Sequence, residues 1–89
     1  MKAIVTVVGK DRVGIIAEAC VQLASYRVNV LDISQTVMQG YFTMMMAVEV
    51  SDCTVPLAEL CKLMDAKGQE MGLSIRVQRE DIFEAMHRV

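Results

Sequence analysis

The sequence predicts an α+β fold: one four-stranded antiparallel sheet with two helices on a single face. Three observations carry this. Four short runs are rich in β-branched residues or alternate apolar with polar. Two longer segments instead repeat apolar residues every three or four positions. Their order along the chain is strand, helix, strand, strand, helix, strand.

Residues 2–8 (KAIVTVV) are apolar on both faces, which suits a central strand, and Gly9 ends the run with room for a sharp turn. From Val13 to Tyr26 the period is helical. Val13, Ile16, Ala17, Cys20, Leu23 and Ala24 form the expected stripe, and Asp11 is placed to cap the start. Residues 29–38 alternate: Leu31, Ile33 and Val37 point one way, Asp32, Ser34 and Thr36 the other. Gln39-Gly40 reads as a hairpin turn. The chain returns through residues 41–50, with Phe42, Met44, Met46, Val48 and Val50 on one face. Thr54 as N-cap and Pro56 in the first turn announce a second helix. Its stripe is Leu57, Leu60, Cys61, Met64, Gly68 and Met71, with Gly68 allowing close approach to the sheet and Gly72 ending the helix. Residues 73–78 form a fourth strand, and Asp81–Arg88 a short C-terminal helix. The βαββαβ order is that of the ferredoxin-like arrangement, and right-handed crossovers put both helices on one face.

The 89 residues make one domain, 1–89. Hydrophobic residues are 54%, aromatics 4% and Trp is absent, so the core is aliphatic and methionine-filled. A small core with that apolar fraction leaves apolar surface over, which assembly would hide. The net charge of −2, without a basic run, argues against nucleic acid. No stretch is apolar enough to span a membrane. Cys20, Cys53 and Cys61 read as reduced thiols, giving an expected cytoplasmic location.

The segment Gly9-Lys10-Asp11-Arg12-Val13-Gly14 joins the first strand to the first helix. Gly14 costs helix stability where it stands. Either a side chain there would collide with a neighbouring strand, or a ligand lies against the exposed N–H groups, which attract a carboxylate. Asp11 either caps the helix, which spacing favours, or pairs with an ammonium group. Asn29 is either a turn residue after Tyr26-Arg27 or a ligand contact that both donates and accepts.

The run G-K-D-R-V-G-I-I-A, followed by Leu23 and V-N-V at 28–30, resembles the opening of an ACT domain. The remainder, including D-I-S-Q, G-Y-F-T-M-M-M and V-Q-R-E-D-I-F, is similar to the small bacterial and archaeal proteins made of one ACT domain. The resemblance implies a homodimer joined through the second strand and first helix, with an effector, an amino acid by preference, in the interface. It carries ligand contacts onto Asp11, Arg12, Gly14 and Asn29, with Ile15 as an apolar wall. This chain has Gly9 where some amino-acid-binding members carry a His, so their ligand is not carried over.

Other signals point away from chemistry. Alternation sets Met45 opposite Met44 and Met46, so the three cannot hold one soft metal ion. With His87 as the single histidine and no CxxC, no zinc site assembles. No catalytic residues and no cofactor are expected. The expected function is therefore a regulatory, ligand-binding homodimer acting on a partner protein in trans. The alternatives are a ligand-free interaction module and, more remotely, an acylphosphatase-like hydrolase. The latter shares the element order, but its glycine-glutamine-glycine-valine loop is missing here, and only Arg12 and Asn29 imitate its Arg/Asn pair.

Overall fold

The computed structural model describes residues 1–10 and 13–81. Strand β1 (Lys2–Lys10) is followed by helix α1 (Ile15–Ser25), the hairpin strands β2 (Asn29–Met38) and β3 (Tyr41–Glu49), helix α2 (Leu57–Met71) and strand β4 (Ser74–Arg79). The sheet order is β2-β3-β1-β4, and every pairing is antiparallel. This is the expected ferredoxin-like βαββαβ arrangement. The expected C-terminal helix lies, apart from Asp81, outside the described residues.

β1 holds the central place that its two apolar faces require, with β3 on one side and β4 on the other. Ala3, Val5 and Val7 face the helices and are fully buried, together with Met44, Met46 and Val48 of β3. Leu23 of α1 and Leu60 and Met64 of α2 close over them, so the core is one cluster on one side of the sheet. Gln39 (φ 51°) and Gly40 (φ 82°) are both left-handed, the geometry of a two-residue hairpin turn whose twist matches its strands.

The apolar stripe of α1 differs from the sequence expectation. The helix starts at Ile15, and its buried residues are Ile15, Ala19 and Leu23, with Ile16 and Cys20 half-buried. Val13 is 97% exposed and Ala17 and Ala24 face outward. The segment is apolar nearly all round, so two stripes satisfy the same period and the tie is broken only by the sheet beneath.

Three smaller expectations also change. Gly9 does not turn the chain. It is paired with Phe42 inside β1, and a Cβ there would run into the end of the Leu73 side chain. The N-cap of α2 is Pro56, not Thr54. Thr54 instead donates its backbone N–H to the Tyr26 carbonyl at 2.9 Å, tying the loop after β3 to the end of α1. β4 runs Ser74–Arg79, one residue later than expected.

Gly68 is the close-approach point of α2. An added Cβ would meet Leu73 O at 2.9 Å and Ile75 N at 3.1 Å, both backbone atoms of the neighbouring strand segment. We expect Gly68→Ala to push α2 off β4. Overpacking of about 1–3 kcal/mol outweighs the helix-propensity gain of about 1 kcal/mol. Thermal denaturation should show a lower Tm; an unchanged or higher Tm would contradict the contact.

Candidate functional site

The expected site is built on the first turn of α1 and the first residue of β2. Gly14 is the N-cap of α1, with φ 91° and ψ 0°, and among the described residues nothing lies within 4 Å of the Cβ it lacks. Glycine is therefore required by a left-handed backbone, not by packing against a strand, and the space beside it is open. The first bond of the helix runs from the Glu18 N–H to the Gly14 carbonyl at 2.9 Å. The N–H groups of residues 15–17 precede that ladder and carry the positive end of the helix dipole. Because Gly14 occupies the N-cap, Asp11 does not hold that position; Asp11 and Arg12 lie outside the described residues.

Ile15 is 2% exposed and its side chain belongs to the core. It anchors the first turn from below and offers the open side only its backbone. Asn29 opens β2, is exposed, and stands opposite Glu49, which in turn stands opposite Lys2. The left-handed turn residue after α1 is Arg27 (φ 61°), so the turn role weighed for Asn29 falls to Arg27. The alternation of β3, with Met46 and Val48 facing the helices, places Glu49 and Asn29 on the opposite, helix-free face.

Within one chain Gly14 and Asn29 do not meet. The Asn29–Glu49–Lys2 row is one end of the sheet, and Met38, Tyr41 and Lys10 form the other. β1 crosses eight residue steps between these rows, about 26 Å at ~3.3 Å per residue. α1 runs back along this length, so Gly14 sits near Lys10 and Asn29 near Lys2. Two shallow depressions on the described surface, of about 200 and 220 Å³, lie elsewhere. One is lined by Ile4, Asp32, Ser34, Met45, Met46 and Ala47, the other by Ala17, Glu18, Val21, Gln22 and Lys67.

The end of the sheet that carries Asn29 is charged. The Met1 ammonium donates to Glu49 Oε2 at 2.6 Å and to Ser51 Oγ at 2.7 Å, and Ser51 Oγ donates to the same carboxylate at 2.7 Å. The hydrogen bond from the amino terminus, then that from Ser51, hold the Glu49 carboxyl at about 2 against its usual 4.5. The thiol of Cys61 is hydrogen-bonded to the Val77 carbonyl at 3.2 Å, and burial pushes its pKa up, so it is held as a thiol. Among the described residues no group of three or more His, Cys, Asp or Glu is placed to hold a metal ion, and no helix is long and apolar enough to cross a membrane.

Sequence reasoning missed the outward face of α1, with Val21 69% exposed, and the irregularity at Leu31, which has no partner in the β2–β3 register. The first had a signal: a helix apolar all round has something to cover on both sides.

The comparisons agree with the fold. Residues 2–78 match the family model described as ACT domain. A "UPF0237 protein" from Methanosarcina acetivorans is 50% identical over 86 residues, 97% of this chain and 94% of its own. Among solved structures, an ACT domain protein from Streptococcus pneumoniae superposes with a TM-score of 0.83 at 46% identity, covering 98% of both chains. A putative glycine cleavage system transcriptional repressor shares the fold, with a TM-score of 0.73 at 22% identity over 88% of this chain and 44% of its own.

Two outcomes are expected here. Gly14→Ala forces an L-residue into the left-handed region, at about 1 kcal/mol, so the Tm should fall by several degrees although no contact is lost. In an NMR titration, the Glu49 side-chain carboxyl should stay ionised down to about pH 2. Since its pKa is lowered in the fold, its contribution to stability is complete above the usual 4.5 and disappears as the pH falls toward 2. A midpoint above 4 would show that the terminal ion pair does not form.

Proposed function

The chain belongs to the ACT-domain family, a family of ligand-binding regulatory modules, and we propose that it acts as a homodimer that binds an amino acid between its two subunits. Its output is regulation of another protein, not catalysis, and its setting is the cytoplasm. The observation that carries this reading is the state of β2. It is an edge strand with one half-buried residue, Val30, and nine exposed ones. Leu31, Ile33, Val37 and Met38 are all apolar and 41–69% exposed. A bare, apolar edge of that length is a template for another strand.

The second strand that fits is another β2. Two copies paired antiparallel about a two-fold axis extend the sheet to eight strands. The same axis sets the outward faces of the two α1 helices, with Val13, Ala17 and Val21, against each other. It also cures the separation of the candidate residues. An antiparallel partner brings the start of its β2, with Asn29, Val30 and the unpaired Leu31, to the end of the sheet where the first chain keeps Gly14.

The ligand chemistry follows from the groups so joined. The free N–H groups above Ile15 and the left-handed Gly14 take a carboxylate, helped by Arg12. Asp11 takes an ammonium group. The opening of the partner's β2 supplies donors and acceptors from its backbone and from the Asn29 amide, which reaches around the strand edge. A group bearing both charges a few ångströms apart is an α-amino acid. Because the ligand touches both chains, it favours the subunit geometry that fits it, and this is the signal a partner protein would read.

The test uses the shared nature of the site. By calorimetry across the common amino acids, wild type should bind at least one, at one ligand per chain. Asp11→Ala and Asn29→Ala should each weaken binding by about tenfold or more, the loss of a charge-assisted hydrogen bond, while circular dichroism stays unchanged. Mixing the two variants should restore wild-type affinity with half the sites in the mixed dimer, since one of its two clefts then holds both native residues. Absence of binding to every amino acid, or no restoration on mixing, would refute the reading.

A further inference from the structure

The helix-free face of the sheet is a second surface with a definite partner. We propose that it stacks on the same face of a second copy, about a two-fold axis running along the strands. This face adjoins the β2 edge along Asp32, Ser34, Thr36 and Met38, but the two contacts have different axes and are broken by different substitutions.

The register gives the face its layout. One row across the sheet is Asp32, Ala47, Ile4 and Gln78, and the next is Ser34, Met45, Thr6 and Arg76. Thr36, Thr43, Val8 and Ser74 follow, then Met38, Tyr41 and Lys10. An apolar band of Ile4, Ala47, Met45, Val8, Tyr41 and Met38 crosses the middle of this grid. Met45 is 36% exposed and Val8 41%, well above the level of a covered sheet face.

Charge selects the occupant and its orientation. Asp32 stands on the edge strand β2 and Arg76 on the opposite edge strand β4, one row apart. Neither makes an ion pair among the described residues; Asp32 is bonded only to the neighbouring Ile33 N–H, at 2.9 Å. A two-fold axis along the strands lays β2 of one copy over β4 of the other, and β3 over β1. Each Arg76 then faces the second copy's Asp32, one row away, about 7 Å along the strand. Ile4 meets the second copy's Ala47, and Met45 its Thr6. The end row also matches in sign, with Lys2 over the second copy's Glu49. A two-fold axis across the strands would instead set β4 on β4, bringing the two Arg76 edges together.

Shape agrees with charge. The depression of about 200 Å³ on this face is lined by the polar Asp32 and Ser34 and the apolar Ile4, Met45, Met46 and Ala47. In the stacked pair the second copy's Arg76 lies directly above it. An arginine packs its apolar stem on such a lining while its head meets a carboxylate. Sheets stacked in aligned sandwiches cross at about 30° and lie about 10 Å apart, close enough for these side chains to interdigitate.

Native mass spectrometry and sedimentation equilibrium test the contact. Wild type should reach four chains, a β2-edge dimer stacked on another. Val37→Lys at the β2 edge should leave a stacked pair of two chains. Arg76→Asp and Asp32→Arg should each weaken stacking by about tenfold or more and leave the β2-edge dimer. Combining Arg76→Asp with Asp32→Arg in one chain should restore four, which excludes misfolding as the cause. If Arg76→Asp changes no mass at any concentration while Val37→Lys does, or if the combined variant stays at two, the stacking is overturned. If only the β2-edge reading is wrong, wild type is a pair that Arg76→Asp still separates.

Discussion

Strand β1 has a hydrogen-bonded neighbour on each side, and the rest of the fold takes its position from that double pairing. With β3 and β4 already in place, β2 can only join beyond β3 and so becomes an edge. The helices cover the side where Ala3, Val5 and Val7 stand, because those are the side chains small and apolar enough to lie beneath two helices at once. The return path of α1 is set by the same strand: it must run the length of β1 to deliver the chain to the start of β2. The distance between Gly14 and Asn29 is thus no accident of a loop. It follows from α1 running back along β1, which sets Gly14 and Asn29 toward opposite ends of the sheet.

Much of this was legible in the sequence. Strand positions, the Gln39-Gly40 turn, the buried face of β3 and the stripe of α2 all follow from period and turn chemistry acting locally. Gly68 was legible as a close-approach residue because it interrupts an otherwise large apolar stripe. The phase of α1 was not. Val13, Ile15, Ile16, Ala17, Ala19, Cys20 and Val21 are all apolar, and only the sheet decides which of them it covers. Two glycines read differently in the structure. Gly9 read as a turn and proved to be paired inside β1 beneath Leu73; for Gly14 the packing alternative fell, because a left-handed backbone calls for glycine there. A sequence gives glycine no side chain from which to tell those uses apart. The candidate ligand residues were legible only through family resemblance, since within one chain Gly14 and Asn29 stand toward opposite ends of the sheet.

The apolar surplus noticed in the composition has two addresses. One is the rim made by β2 and the outer face of α1, where bare backbone and aliphatic side chains lie together. The other is the helix-free face, where the apolar band is bordered by opposite charges on opposite edges. They differ in what they ask of a partner. An exposed strand edge accepts almost any strand, and its selectivity comes from side chains placed along it. A sheet face accepts only a surface whose charges fall in the complementary places, so specificity there is electrostatic. The bulge at Leu31 interrupts the β2–β3 ladder and leaves that residue unpaired near the start of β2.

A ligand cleft divided between chains ties binding to assembly through mass action. In the proposed dimer the lone chain would present only half of the contacts, so an effector would bind the dimer in preference and stabilise it in proportion to that preference. The reverse holds by linkage: whatever strengthens the subunit contact raises affinity for the effector by the same factor. A small core sharpens this coupling, because little intrinsic stability separates the folded chain from the unfolded one and each added contact is a large fraction of the total. Regulation then needs no hinge and no moving domain. On this proposal the two-state element is the association itself, and the groups that would bias it, Gly14 and Asn29, stand toward opposite ends of the sheet in one chain.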